Sequence, residues 1–261
     1  VTFTRFIDLR GPEIERFGED TVAVLPVGAI EQHGPHLPVA TDYYMAEAVA
    51  EGAARLAGES CDITLLPGLA YTKSDEHAWS PGTLWLSART LLSVLDDLGR
   101  SLAAGPVRRL AFLNAHGGNS ALLGVALREL RTRHGLRTFL LHASLPADQG
   151  GTSPATEYGM GVHGGLKETA AMLHLHPDLV DMTHARRSVP EHLNSYEHIG
   201  FGKPVSFGWT SDDFATGNGL IGDPTGATPE LGRKLIDASI AAAAAALREC
   251  ARFLPDHPLT S

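Results

Sequence analysis

The chain has 261 residues, with 30 acidic residues against 21 lysines and arginines, a formal net charge of -9 and 43% hydrophobic residues. No stretch gathers enough basic residues to track a phosphate backbone, so nucleic acid is not an expected partner. The composition is that of a globular protein with a large core, and a single domain over 1–261 is expected. The two cysteines, Cys61 and Cys250, form no Cys-x-x-Cys pattern and read as reduced thiols rather than a disulfide framework. Without an apolar h-region in the first twenty residues, the expected location is cytoplasmic. The longest apolar stretch, Ile240 to Leu247, is too short and too alanine-rich to span a bilayer, so no membrane partner is expected.

Apolar, β-branched runs alternate with helical patterns along the chain. Strands are predicted near 22–28, 62–66, 108–113 and 137–142, and helices near 43–57, 87–103, 119–134 and 228–252. That alternation is the signature of βα units, hence an α/β fold with a mainly parallel sheet. The alanine tract near the C-terminus is a strong helix former, expected as a surface or interface helix. Segments 148–161 and 186–224 lack periodicity and are rich in Gly and Ser, so they read as long functional loops.

Three short segments concentrate the residue types that divalent ions use: Glu31 to His36, Asn114 to Asn119, and His163 to Thr169. The first two follow apolar runs and would sit where buried strands end, which is where open α/β sheets place ligands. Glu31 and His33 are two residues apart, so on extended backbone both face one side. Asp42, before a helical stretch, is suited either to capping that helix or to bridging two cations. Mixed histidine and carboxylate suit zinc, manganese or iron better than calcium or magnesium. The Gly117-Gly118 pair would let backbone pass close to the metal.

The run Pro26 to Pro38, continuing to Thr41-Asp42, strongly resembles the first metal motif of the creatininase (creatinine amidohydrolase) family. Glu76-His77-Ala78-Trp79-Ser80-Pro81-Gly82-Thr83 is similar to that family's Glu-His-x-x-x-Pro-Gly-Thr loop, and Asn114 to Asn119 to its Asn-x-His-Gly-Gly-Asn turn. His163 to Thr169 matches its His-x-Gly-x-x-Glu-Thr stretch, and Gly222 to Thr228 the segment before its last helix. The resemblance implies a three-layer α/β/α fold, a homo-oligomer that is commonly hexameric, and two divalent ions per subunit, zinc first, with manganese or iron(II) as alternatives. Carried over by position, Glu31, Asp42 and His116 would hold one ion, and His33, Asp42 and a second carboxylate the other, with Asp42 as the bridge.

Creatininase proper supplies that second carboxylate from the turn after the histidine, where this chain has Gly118; Glu168 is assigned as its replacement. His163 is the expected proton shuttle and, with Glu168, completes the catalytic pair. Glu76, His77 and Trp79 are expected to bind substrate, and His36 to support the centre through a hydrogen bond. Tyr71, Phe207, Trp209 and Phe214 are candidates for apolar walls, and His174 and His176 read as structural.

The implied reaction is hydrolysis of a non-peptide or cyclic amide C-N bond by a metal-activated water, with a small-molecule amide as partner. The family also contains a formamide deformylase and a peptidase that trims a mycofactocin-type precursor peptide, both of which remain alternatives. The glycine at 118 counts against creatinine itself, and the lack of a basic cluster against a phosphorylated substrate. A metal-dependent phosphoesterase or a non-catalytic metal-binding scaffold would use the same scaffold differently.

Overall fold

The four predicted strands form, and a fifth short one joins them. In chain order they are β1 (Phe3–Arg5), β2 (Val22–Val27), β3 (Ile63–Leu65), β4 (Arg109–Asn114) and β5 (Arg137–His142). They are seen in a computed structural model that describes residues 2–146, 149–214 and 218–255, so Asp148 and residues 215–217 of the two predicted loops lie outside the described residues. The sheet order is β1-β3-β2-β4-β5, and every neighbouring pair is parallel. β1 carries no readable pattern because three residues at a sheet edge, two of them Thr4 and Arg5, establish no hydrophobic period.

The helices are α1 (Gly11–Ile14), α2 (Thr41–Ala57), α3 (Ala88–Ala103), α4 (Ser120–His134), α5 (Leu166–Leu175) and α6 (Pro229–Arg252). From β2 the chain passes through α2 to β3 on one side, returns through α3 to β4 on the other, and continues through α4 to β5. Right-handed crossovers running in opposite directions place their helices on opposite faces. The pleat of β2 and β4 shows this directly. Val22, Val24, Ala111 and Leu113 pack with α2 and α6, while Ala23, Leu25, Leu110 and Phe112 pack with Leu91 and Leu95 of α3 and Leu123 and Leu130 of α4. The outcome is the expected three-layer α/β/α arrangement around a parallel sheet.

The alanine tract forms the expected helix with two unlike faces. In α6, Ala243, Ala244 and Leu247 are buried against Ala50, Ala53 and Ala54 of α2, while Ala241 and Ala245 are exposed. Small side chains on both helices allow this approach, and each buried Leu or Val contributes roughly 1.5–3 kcal/mol. Its start is specified locally: Pro229 stands in the first turn and the Thr228 hydroxyl accepts the Leu231 N–H at 3.2 Å. α5 was legible only at its end, near Met172 to His176, because its first turn is taken up by motif residues.

β2 sits between β3 and β4, which the chain reaches in opposite directions, so a crevice opens beyond the carboxyl ends of β2 and β4. Gly28, just past β2, lets the first turn of α2 close over that crevice. A β carbon on Gly28 would lie 2.5 Å from the Tyr43 Cα. Gly28→Ala is therefore expected to lower the unfolding free energy by about 3 kcal/mol, measured by urea denaturation, because backbone rather than a flexible side chain must move.

Candidate metal centre

The carboxyl ends of the two central strands deliver most of the cluster. β2 leads into Glu31 and His33, α2 brings Asp42 in its first turn, β4 leads into His116, and the first turn of α5 carries Glu168. Glu31, His33, Asp42 and His116 are each at most 5% exposed. Two groups of three have ligand atoms close enough to share one ion: Glu31, Asp42 and His116, and His33, Asp42 and Glu168. A third such group joins Glu31 and His33 to His163.

Asp42 lies between the two imidazoles, with Oδ1 3.3 Å from His33 Nε2 and Oδ2 3.1 Å from His116 Nδ1. It makes no capping bond; Ala40 is the N-cap residue of α2 and has none to offer. The aspartate thus lies between the two imidazoles and does not cap the helix. Glu31 Oε2 is 3.3 Å from His116 Nδ1, and Glu168 Oε2 is 4.0 Å from His33 Nε2.

The imidazoles are held from behind. His33 Nδ1 faces the Glu31 carbonyl at 3.2 Å and His116 Nε2 the Lys73 carbonyl at 2.9 Å, so each ring donates outward and turns its other nitrogen to the cluster. Within the turn, Asn114 Nδ2 donates to the His116 carbonyl at 2.7 Å and Asn119 Nδ2 to the Gly28 carbonyl at 3.1 Å.

Glu31 Oε1, His33 Nε2 and Asp42 Oδ2 are buried without hydrogen-bond partners. Buried polar atoms are nearly always satisfied, so three orphans converging on one space are the mark of a site that takes cations. The electrostatics agree. Burial opposes charge on His33, yet Asp42, Glu168 and Glu31 outweigh it and raise the imidazole to about 10. His116 is likewise raised well above its usual range against the burial penalty, by Glu31, Asp42 and Glu76. Burial followed by the neighbouring carboxylates pushes Glu168 up to about 7, even though His33 pulls it down. The cluster demands positive charge.

His163 stands beside this centre, its Nδ1 3.5 Å from Glu31 Oε1. Its Nε2–H donates to the Gln32 carbonyl at 2.6 Å, which leaves Nδ1 as the open atom. Burial, then the charge of His33 and His77, holds it well below its usual range and therefore neutral. Its ring lies 4.3 Å from that of His33 and stacks on that of His77 at 3.9 Å.

The Glu76 loop falls in two parts. Glu76 pairs with Lys73 at 3.1 Å and lies 3.4 Å from His116 Nε2, and His77 Nε2 is 3.6 Å from Glu31 Oε1. Both line a cavity of about 480 Å³ over the cluster, together with Phe207 and Trp209. Trp79 and Tyr71 do not line it; the Trp79 indole donates instead to Ser211 Oγ at 2.7 Å, and that hydroxyl meets His77 Nδ1 at 2.9 Å. Phe214 packs on Phe201, Phe207 and Trp209 behind the wall. His176 packs on the Tyr44 ring at 4.3 Å, in keeping with a structural role.

Gly118 is explained by Glu76. A β carbon there would lie 2.0 Å from Glu76 Oε1 and 2.4 Å from His116 Nε2. The space that a side chain at 118 would need is already taken by a carboxylate from another loop.

Several residues with a clear place in the site carried no sequence signal. Ser74 donates to Glu31 Oε2 at 2.5 Å, and the Glu157 carboxylate accepts the N–H groups of Leu166 and Asp223, tying the start of α5 to the segment before α6. A lone serine or glutamate in a loop has no spacing to betray it.

His36 faces away from the ions, as expected, with Nε2 2.9 Å from Thr169 Oγ1. Burial first, then the nearby His33 charge, lowers it from 6.5 to about 4. A histidine depressed on folding contributes stability above its unfolded value, and that contribution is lost as pH falls through the folded one. Between pH 6.5 and 4 the wild type is expected to lose about 2 kcal/mol more than His36→Gln, read from urea titrations of both.

The chain matches known proteins over most of its length. The family model described as "Creatininase: Creatinine amidohydrolase" covers residues 8–247. A mycofactocin precursor peptide peptidase of Mycobacterium tuberculosis is 34% identical, over 89% of this chain and 85% of its own. Among solved structures, "Creatininase Mn" superposes with a TM-score of 0.70 at 27% identity, covering 95% of this chain and 98% of that one. A mutant creatininase of Zn-Zn type gives 0.69 at 27% identity, covering 95% of this chain and 97% of that one.

Proposed function

Because the chain belongs to the creatininase family, we propose that it is a two-metal hydrolase of amide C-N bonds, acting as one catalytic unit over 1–261. The observation that carries this is the convergence of three buried atoms, Glu31 Oε1, His33 Nε2 and Asp42 Oδ2, that make no hydrogen bond among the described residues, beside the inward-facing Nδ1 of His116. In this reading Glu31, Asp42 and His116 hold one ion, and His33, Asp42 and Glu168 the other. Zinc or manganese fits the donor set and matches the names of the two related structures, and iron(II) accepts the same ligands.

When bound, the ions supply a water acidic enough to attack near neutral pH and a Lewis acid for the substrate carbonyl. The protein's own groups do the rest. His163 Nδ1, neutral and open, takes the nucleophile's proton and returns it to the departing nitrogen, which leaves poorly as an anion. His77, its Nδ1 occupied by Ser211, presents Nε2–H toward the reacting space, where it can stabilise the developing oxyanion. Glu76 sits behind His116 and holds that ligand's ring, with its carboxyl lowered to about 2 by His116 and Lys73 in spite of burial.

The same centre supports a second reading, trimming of a precursor peptide, favoured by the peptidase relatives that align with most of the chain. A cytoplasmic homo-oligomer, hexameric by resemblance, belongs to the same proposal, and light scattering of the purified protein tests the assembly. For the chemistry, metal-replete protein is expected to carry two ions per chain. It should release amine from at least one member of a panel of lactams, formamides, cyclic ureas and short peptides, and chelation should stop it. Turnover confined to phosphate esters, or no more than one ion per chain, would reject the reading.

A further inference from the structure

A second cavity of about 510 Å³ opens from the same cluster and shares His116 and Glu168 with the first. Val162 also lines both, but the other walls differ. Met45, Leu145 and Pro146 make the second largely apolar, and its polar groups include Ser144, His142 and Lys167. Lys167 lies in the first turn of α5, adjacent in the chain to Glu168, and is half-buried.

Among the described residues, the Lys167 ammonium has neither a carboxylate partner nor a hydrogen bond. The other lysine beside the centre, Lys73, is engaged by both Asp75 and Glu76. A half-buried cation has given up part of its hydration, and no described residue supplies a counter-ion that offsets that loss. Placed in the wall of a cavity that leads to the reacting centre, it is a seat for an anion.

We propose that Lys167 anchors a carboxylate of the substrate, so that the enzyme acts on amides that carry a free carboxylate. The proposal rests on the amidohydrolase reading above and narrows it. One ammonium beside the negative Glu168 matches a single charge. A phosphate dianion would call for a second cation, and Lys167 is the only lysine or arginine among the described residues of this wall. The apolar walls take the hydrocarbon part of the substrate while the carboxylate orients it, the usual division of labour in small-ligand pockets.

The carboxylate has two chemical sources, the end of a short peptide or a substituent on a lactam ring, and the test separates them. Metal-loaded wild type, Lys167→Met and Lys167→Arg are compared on an acetylated dipeptide and its C-terminal amide, and on 5-oxoproline and its amide. Binding is followed by calorimetry, hydrolysis by amine release, and folding by thermal melts and metal content. The wild type is expected to prefer one acid over its amide by about 10- to 100-fold in Kd or KM, with the preference shrinking at high salt. Lys167→Met should abolish the preference and Lys167→Arg retain most of it. A preference for the dipeptide acid identifies a chain terminus, and one for 5-oxoproline a ring-borne carboxylate.

If Lys167→Met keeps the preference, the carboxylate rests on the metals and the proposal is wrong. Equal handling of acids and amides by the wild type, or failure to bind either acid, also overturns it. Lys167-dependent binding without hydrolysis of any amide would instead sink the amidohydrolase reading and leave the anchor standing.

Discussion

Asp42→Ala is expected to reduce the bound metal from two ions to at most one per chain and to lower turnover by about a thousand-fold or more, roughly 4 kcal/mol of transition-state stabilisation. Asp42 is the one residue common to the Glu31–His116 group and the His33–Glu168 group. Its two oxygens are divided between them, 3.3 Å from one imidazole and 3.1 Å from the other, whereas Glu31 approaches His116 at 3.3 Å but His33 only at 3.8 Å. The same substitution should uncouple metal from stability. A ligand at a hundred times its Kd stabilises the fold by about 2.7 kcal/mol, so the metal-free wild type should gain several degrees in Tm when the ion is added. The variant should gain much less. Elemental analysis and melting curves measure the two effects independently of any substrate. A variant that kept two ions per chain would show that Asp42 is not the bridge.

The second large effect concerns Glu168, the carboxylate proposed to stand in for the one missing at 118. Glu168→Gln is expected to cost about 100- to 1000-fold in turnover, and adding Gly118→Glu should not rescue it. A side chain at 118 must displace Glu76, whose Oε1 lies 2.0 Å from where the β carbon would go, and press on His116 Nε2 at 2.4 Å. His116 would lose the contact that orients it, and such supporting contacts are typically worth 10- to 100-fold. Gly118→Glu alone should therefore lower both metal affinity and turnover. Removing the obstruction with Glu76→Ala in the same chain should relieve part of that penalty, a non-additivity that a double-mutant cycle reads directly. Full activity in Gly118→Glu/Glu168→Gln would mean that the centre accepts its carboxylate from either position.

Much of the centre was legible because its motifs are local. Strand, turn and ligand follow one another in Val22 to His33 and again in Leu110 to His116, so the apolar run itself points to where the histidine and carboxylate emerge. Asp42 was ambiguous in isolation, since an aspartate before a helix is a good cap; only its burial between two imidazoles separates bridge from cap. Trp79 illustrates the opposite error. It belongs to a matching motif, yet its indole is engaged by Ser211, a residue that no spacing connects to it. In the alanine tract the buried face was not legible, because alanine is equally at home on a surface and in a tight helix-helix contact, and only a facing surface of small residues tells the two apart.

The order of strands and helices, the ligand types and the places where they leave the sheet all follow from short-range pattern: hydrophobic period, turn residues and the donor atoms metals require. The division of those ligands into two groups was available only by resemblance, and Glu76 filling the space at Gly118 and Lys167 left without a counter-ion among the described residues were not available at all. These depend on how α2, α5 and the loops pack on the sheet. Charge and hydrogen-bond satisfaction act over a few ångströms between residues far apart in the chain, and such distances come into being only when the layers close.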